Sequence, residues 1–190
     1  MSEPAAAYRE QVAVVVGGYD RIGRLVCEPL AARGVTVAIT GPSAQQAALY
    51  CRELTDLSIT ALPYVVDPDD AAMVHRLVAD VTHDLGAPDI LIGLLPADGP
   101  PYPVATAMGK AMAEADRPGR IVLLVPHAEA PRAAVWALRT SSGTLRANVL
   151  SAAATASAEQ IAGAALMLLG RDADRLAGAH IEVHGAGLPD

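Results

Sequence analysis

Phenylalanine is absent from this 190-residue chain, and its aromatic residues are five tyrosines and one tryptophan. A core must therefore be built from small aliphatic side chains, which are plentiful, since 52% of the residues are hydrophobic. Lysine is almost missing as well. Lys110 stands alone among scattered arginines, and the net charge is −7, which excludes a nucleic-acid surface built on clustered cations. The two cysteines, Cys27 and Cys51, fall in helix-like segments; they exclude a disulfide framework and suit a reduced, cytoplasmic protein. No apolar run approaches the ~18 residues of a membrane span. The opening MSEPAAAYREQ offers neither the basic start nor the apolar stretch of a secretory signal. A charged fraction of 18% with mean hydropathy +0.31 excludes disorder for most of the chain, and the length suits one domain.

What the chain does contain is a regular alternation of strand-length apolar runs and helix-length segments. Val12–Val16, Val35–Ile39, Ile59–Val66, Ile90–Leu95, Ile121–Val125, Leu145–Leu150 and Ala179–Val183 read as strands. Arg21–Arg33, Ser43–Thr55, Asp69–Leu85, Val104–Ala115, a short piece around Arg132–Arg139 and Ala158–Gly170 read as helices. Near-continuous apolar strands joined by helices predict a doubly wound, Rossmann-like α/β sheet of about seven parallel strands, covered on both faces. Residues 1–11 read as a flexible N-terminus and 12–187 as a single domain, with the tail after Gly185 also loose. Pro63 suits a strand that begins late or bends. Pro29, inside the first helix, should cost roughly 3 kcal/mol or force a kink.

The strongest local signal is Val14–Leu25, VVVGGYDRIGRL. Strand, glycine turn and helix in that order form the place where dinucleotide-binding folds seat a pyrophosphate. Gly17, Ile22 and Gly23 keep the turn, but the middle glycine is replaced by Asp20. Two unit charges ~4 Å apart at an effective dielectric of ~20 repel by about 4 kcal/mol, so a carboxylate there opposes a phosphate. The alternative reading makes Asp20 the N-cap of the helix, filling the anion site from within.

From this turn onward the chain resembles the short-chain dehydrogenase/reductase family across residues 12–187. Val66-Asp67 resembles the family's acidic position near the adenine. Asp89–Leu91 with Gly93–Gly99 resembles its fourth strand and following loop. GRIVLL at 119–124 resembles the strand that carries the catalytic serine. GTLRANV at 143–149 is similar to its Gly-Ile-Arg-Val-Asn segment, and Glu159–Gly187 to its closing helix and strand. The resemblance implies cofactor contacts at Gly17, Ile22, Gly23 and Asp67, vestigial if Asp20 closes the turn. The cofactor is then either NAD(P) or none.

The family's chemistry needs a tyrosine with a lysine four residues later. The residue four before Lys110 is Thr106, so no such pair exists in this chain. Trp136 and Thr140 stand nearest to those places, and Pro126 stands where the serine should be. Thr40-Gly41-Pro42-Ser43 offers neither the acid nor the arginine that selects NAD or NADP. Compared with the family's usual members, the chain is short in two places. The fourth helix is cut by about half and the fifth is a stub; both normally take part in subunit contacts. No catalytic residue can be assigned from the resemblance.

The remaining candidates each have a plain structural reading. His127 and Glu129 could form an acid/base pair at the carboxyl edge of the fifth strand, or be solvated loop residues. His180 and His184 share a face of the last strand but lack a third metal ligand. Arg21 and Arg24 could meet phosphate or solvent, and Asp67 could serve its own turn. Met108 and Met112 suit core packing, His75 and His83 an exposed helix face, and Ser141-Ser142-Gly143 a turn.

These observations leave three readings. The chain could be a catalytically degenerate dehydrogenase-like subunit, joined as a homo-oligomer or with a full-length relative through 158–183. It could be a divergent NAD(P)-dependent oxidoreductase, or a cofactor-free cyclase or isomerase reusing the cleft.

Overall fold

The computed structural model describes residues 11–41, 43–56, 60–94 and 102–185. The loose ends expected from sequence, apart from Gln11, lie outside the described residues, as do Ile59 and most of the loop after the fourth strand. Strands β1 (Val12–Val16), β2 (Thr36–Gly41), β3 (Ala61–Val65), β4 (Ile90–Leu94), β5 (Gly119–Leu124), β6 (Leu145–Ala152) and β7 (His180–Val183) form one sheet. The order is β3-β2-β1-β4-β5-β6-β7 and every pairing is parallel. The doubly wound α/β sheet expected from the alternation is therefore present. Order reverses between β1 and β4, which opens a crevice at their carboxyl ends.

The helices are α1 (Arg21–Ala32), α2 (Ala44–Asp56), α3 (Ala71–Leu85), α4 (Tyr102–Glu114), α5 (Ala130–Thr140) and α6 (Ala158–Leu168). One core layer joins the sheet to α1, α2 and α6 through residues such as Val26, Leu30, Leu54 and Leu168. The other joins it to α3, α4 and α5 through Leu77, Met108, Met112 and Ala133. Met108 and Met112 are fully buried, so their four-residue spacing is core packing.

Two sequence expectations need amendment. The fifth helix is no stub, since α5 spans 11 residues, about three turns, and is preceded by a short 3-10 turn at His127–Glu129. A second 3-10 turn follows α6 at Arg171–Arg175. Pro29 neither breaks nor ends α1, which continues to Ala32. Pro29 lies in the helix's last turn, where it costs one intrahelical bond, just before Gly34 at φ +86° reverses the chain. Pro63 lies on β3, an edge strand with a partner on one side only, where a lost donor is tolerated.

Polar side chains fasten the strand starts and the sheet edge. Asp89, nearly fully buried before β4, accepts from Val12 N–H at 2.9 Å and meets the Arg117 guanidinium at 2.6 Å. Asn148 is also buried; its Oδ1 accepts from Ala179 N–H at 3.0 Å and its Nδ2 donates to the Leu176 carbonyl at 3.3 Å, which ties β6 to the approach of β7.

Candidate functional site

The carboxyl end of β1 enters the glycine turn directly. Gly17 adopts φ +80°, donates its N–H to the Thr40 carbonyl at 2.9 Å, and lies against β4. A Cβ on Gly17 would stand 2.7 Å from the Leu94 carbonyl oxygen. Gly23, in the first turn of α1, has even less room: its Cβ would lie 2.4 Å from the Gly18 Cα. Ile22 packs against the core layer under α1. Gly17, Ile22 and Gly23 thus form the close strand–turn–helix junction that the sequence suggests.

The anion position of that junction is occupied by the chain itself. Asp20 is the N-cap of α1, and its Oδ1 accepts from Gly23 N–H at 2.6 Å. That contact satisfies a helix N-terminal donor of the kind a phosphate would use. Both nearby arginines are paired elsewhere. Arg21 donates to Glu159 at 2.7 Å, while Arg24 donates to Glu53 at 2.9 Å and stacks 4.4 Å from the centre of the Tyr50 ring. The Arg21 guanidinium holds the Glu159 carboxyl down at about 2.

Tyr19 completes the covering of the turn. Its ring presses on Gly41 at the end of β2, so closely that a Cβ on Gly41 would stand 1.9 Å from Tyr19 Cε1. The end of β2 is where dinucleotide folds place the adenosine ribose. The adjacent Thr40 hydroxyl is buried without a hydrogen-bond partner among the described residues. Asp67, the remaining expected cofactor contact, turns to its own loop, where Oδ1 accepts from Asp69 N–H at 3.0 Å. As arranged, the junction fits NAD(P) poorly: Asp20 takes the helix donor, and Tyr19 covers the ribose position.

Further along the same sheet edge, His127 and Glu129 are not brought together as a pair. His127 Nδ1 instead meets Glu182 Oε1 at 3.2 Å, and His184 Nε2 lies 3.8 Å from the other oxygen of Glu182. His180 Nε2 is 2.7 Å from Ser151 Oγ, so the two histidines of the last strand have separate partners. Among the described residues no cluster of histidine, cysteine or carboxylate side chains is arranged to hold a metal. Ser141 Oγ donates to the Ala137 carbonyl and accepts from Ala147 N–H, each at 2.9 Å, which makes the Ser141–Gly143 segment a structural turn. Burial pushes the Cys51 thiol up to about 11 and raises Cys27 further, so neither is poised as a nucleophile.

Three arrangements were not legible beforehand: Tyr19 over Gly41, Glu182 between two histidines, and the ring pair of Tyr102 with Trp136, whose centroids are 5.3 Å apart. Each joins residues from different elements, and no local spacing signals them. Among the described residues, no helix is long and apolar enough to cross a membrane.

Comparison with known proteins supports the same architecture. Residues 11–93 match the family model for short chain dehydrogenases. A short chain dehydrogenase of Pseudocercospora fijiensis (strain CIRAD86) is 30% identical over 84 residues, a stretch covering 44% of this chain and 27% of that protein. The chain thus spans only about a quarter of that curated relative. Among solved structures, a short-chain type dehydrogenase/reductase from Mycobacterium marinum superposes with TM-score 0.83 at 16% identity, covering 97% of this chain and 98% of the other. An actinorhodin polyketide ketoreductase with NADPH gives TM-score 0.81 at 16% identity, over 92% of this chain and 96% of that one. NAD+-bound xylitol dehydrogenase also gives 0.81 at 16% identity, over 92% and 98%. Over residues 11–93 the chain is similar to the short chain dehydrogenases, and its whole fold is that of the short-chain type dehydrogenase/reductase structures.

Proposed function

We propose that this protein is a cytoplasmic, non-catalytic member of the short-chain dehydrogenase/reductase family, acting as a structural or regulatory subunit beside an active dehydrogenase. The observation that carries the reading is the 2.6 Å contact of Asp20 with Gly23 N–H, which fills the helix donor from inside the chain. The lack of a Tyr-x-x-x-Lys pair removes the family's proton-transfer machinery independently of that contact. Trp136, nearest the tyrosine place, has an indole N–H that donates only and does not exchange a proton near neutral pH.

Titration calorimetry with NAD(H) and NADP(H) tests this directly. The purified chain is expected to show no binding at millimolar cofactor, and to form a measurable complex when a full-length dehydrogenase encoded beside it is added. Cofactor binding by the chain alone would overturn the reading and favour a divergent NAD(P)-dependent oxidoreductase, for which the retained Gly17–Gly23 turn speaks.

The surface proposed for the partner, or for a second copy, is 158–183. On α6, Met167 is 55% exposed, and Gly163 stands in mid-helix although its Cβ would meet nothing within 4 Å. A helical glycine costs about 1 kcal/mol relative to alanine, and nothing within this chain requires one there. A partner's close approach supplies a reason. Gly163→Ala is therefore expected to raise the Tm of the isolated chain by roughly 2–4 °C while weakening the complex in analytical ultracentrifugation. Stabilisation with unchanged assembly would place the interface elsewhere.

A further inference from the structure

Away from the glycine turn, α3, α4 and α5 enclose a hollow of about 590 Å³, within the range of small-molecule sites. Its principal side chains are His75 from α3, Tyr102, Thr106 and Lys110 from α4, and Arg132 and Trp136 from α5. The chain carries 21 acidic residues against 14 basic ones, yet among the described residues the hollow is lined by one lysine, one arginine and one histidine and by no carboxylate. Charge and shape both select a ligand. The Tyr102 and Trp136 rings, 5.3 Å apart and inclined at 46°, offer an angled aromatic wall. Burial raises the Tyr102 hydroxyl above its ordinary range, Glu129 adds to the rise, and the Arg132 guanidinium opposes it.

The cations are available. Among the described residues Lys110 meets only Glu114, at 3.8 Å on an exposed helix face, a pairing that water and salt readily replace. Among the described residues, the Tyr102 hydroxyl is a buried donor that no group accepts, and Glu129 Oε2, also buried, has no donor. Such orphaned polar groups are uncommon in folded proteins and call for a partner.

We propose that this hollow binds a small aryl carboxylate, its ring against Trp136 and Tyr102 and its carboxylate toward Arg132 and Lys110. The proposal is independent of the fate of the nucleotide turn and involves no reaction. Trp136 is the chain's one tryptophan, so its indole N–H gives a single NMR signal that reports on this hollow.

The test titrates 2-naphthoate into the 15N-labelled chain, with neutral 2-naphthamide as control. A saturable shift of the Trp136 indole signal is expected for the carboxylate, with the amide at least about tenfold weaker. Arg132→Ala with Lys110→Ala, both at exposed positions, should weaken naphthoate by a similar factor while leaving the rest of the spectrum in place. The proposal fails if no saturable shift is reached by about 5 mM. It also fails if acid and amide bind equally, or if the double variant binds like the parent.

Discussion

Gly23→Ala is expected to be the most damaging single methyl addition at the glycine turn, lowering stability by about 3 kcal/mol or more and the Tm by roughly 10 °C. On an exposed helix the same substitution would help, because alanine is the better helix former. Here the new Cβ would lie 2.4, 2.5 and 2.6 Å from the Cα, C and O atoms of Gly18. Those are backbone atoms at the end of β1, not the tip of a flexible side chain, so α1 itself must move. Moving α1 disturbs Val26, Cys27 and Leu30, all buried against the sheet. Thermal unfolding of Gly23→Ala beside Gly163→Ala makes the contrast. One exchange adds a methyl group against backbone and the other into open space, and the two Tm shifts should have opposite signs. A Gly23→Ala protein as stable as the parent would mean that the helix and the turn are not held as closely as described.

Asp89→Ala is expected to cost about 2–3 kcal/mol, whereas Asp89→Asn should cost under about 1 kcal/mol. The alanine removes the acceptor of Val12 N–H and leaves that donor buried at the first residue of β1. Asparagine keeps an acceptor of nearly the same shape. Arg117, about half exposed, returns to water in either variant, so little of the loss comes from its side. Burial raises the Asp89 carboxyl above the ordinary range, against the opposing pull of the Val12 N–H, Arg117 and Arg120. A carboxyl raised in the folded state contributes most to stability below its unfolded pKa, and that contribution is lost as pH rises through the folded value. The parent should therefore gain stability relative to Asp89→Asn as pH falls from neutral into the carboxylate range. Denaturant unfolding of both proteins across that window checks the sign, and a widening advantage for Asp89→Asn on acidification would refute it.

The central strands were legible because they are unbroken apolar runs, which only a sheet covered on both faces can bury. Val12–Val16 is buried at every position, and so is Ile90–Leu94. Boundaries were less legible. Gly119 and Arg120 open β5 before its apolar run, and Ser151 and Ala152 extend β6, because strand pairing rather than hydrophobicity set those ends. The expected stub near Arg132 became an 11-residue helix, since Ala133 and Ala137 bury a face that small side chains announce only weakly.

By itself, the sequence determined the fold class, the loop–helix place of the glycine turn, and the impossibility of a Tyr-x-x-x-Lys pair, which follows from a single lysine at 110. These properties depend on local periodicity or on composition. Only the tertiary structure decided where polar side chains spend their hydrogen bonds. Asp20 could have faced a ligand or capped its own helix, and the fold places it on Gly23 N–H. His127 stands two residues from Glu129, yet it meets Glu182, because the parallel order β5-β6-β7 brings the ends of β5 and β7 to one edge. Tyr19 covers Gly41, and Arg21 reaches Glu159 across 138 positions, for the same reason. Partners so distant along the chain are chosen by strand order and register, which no short window of sequence contains.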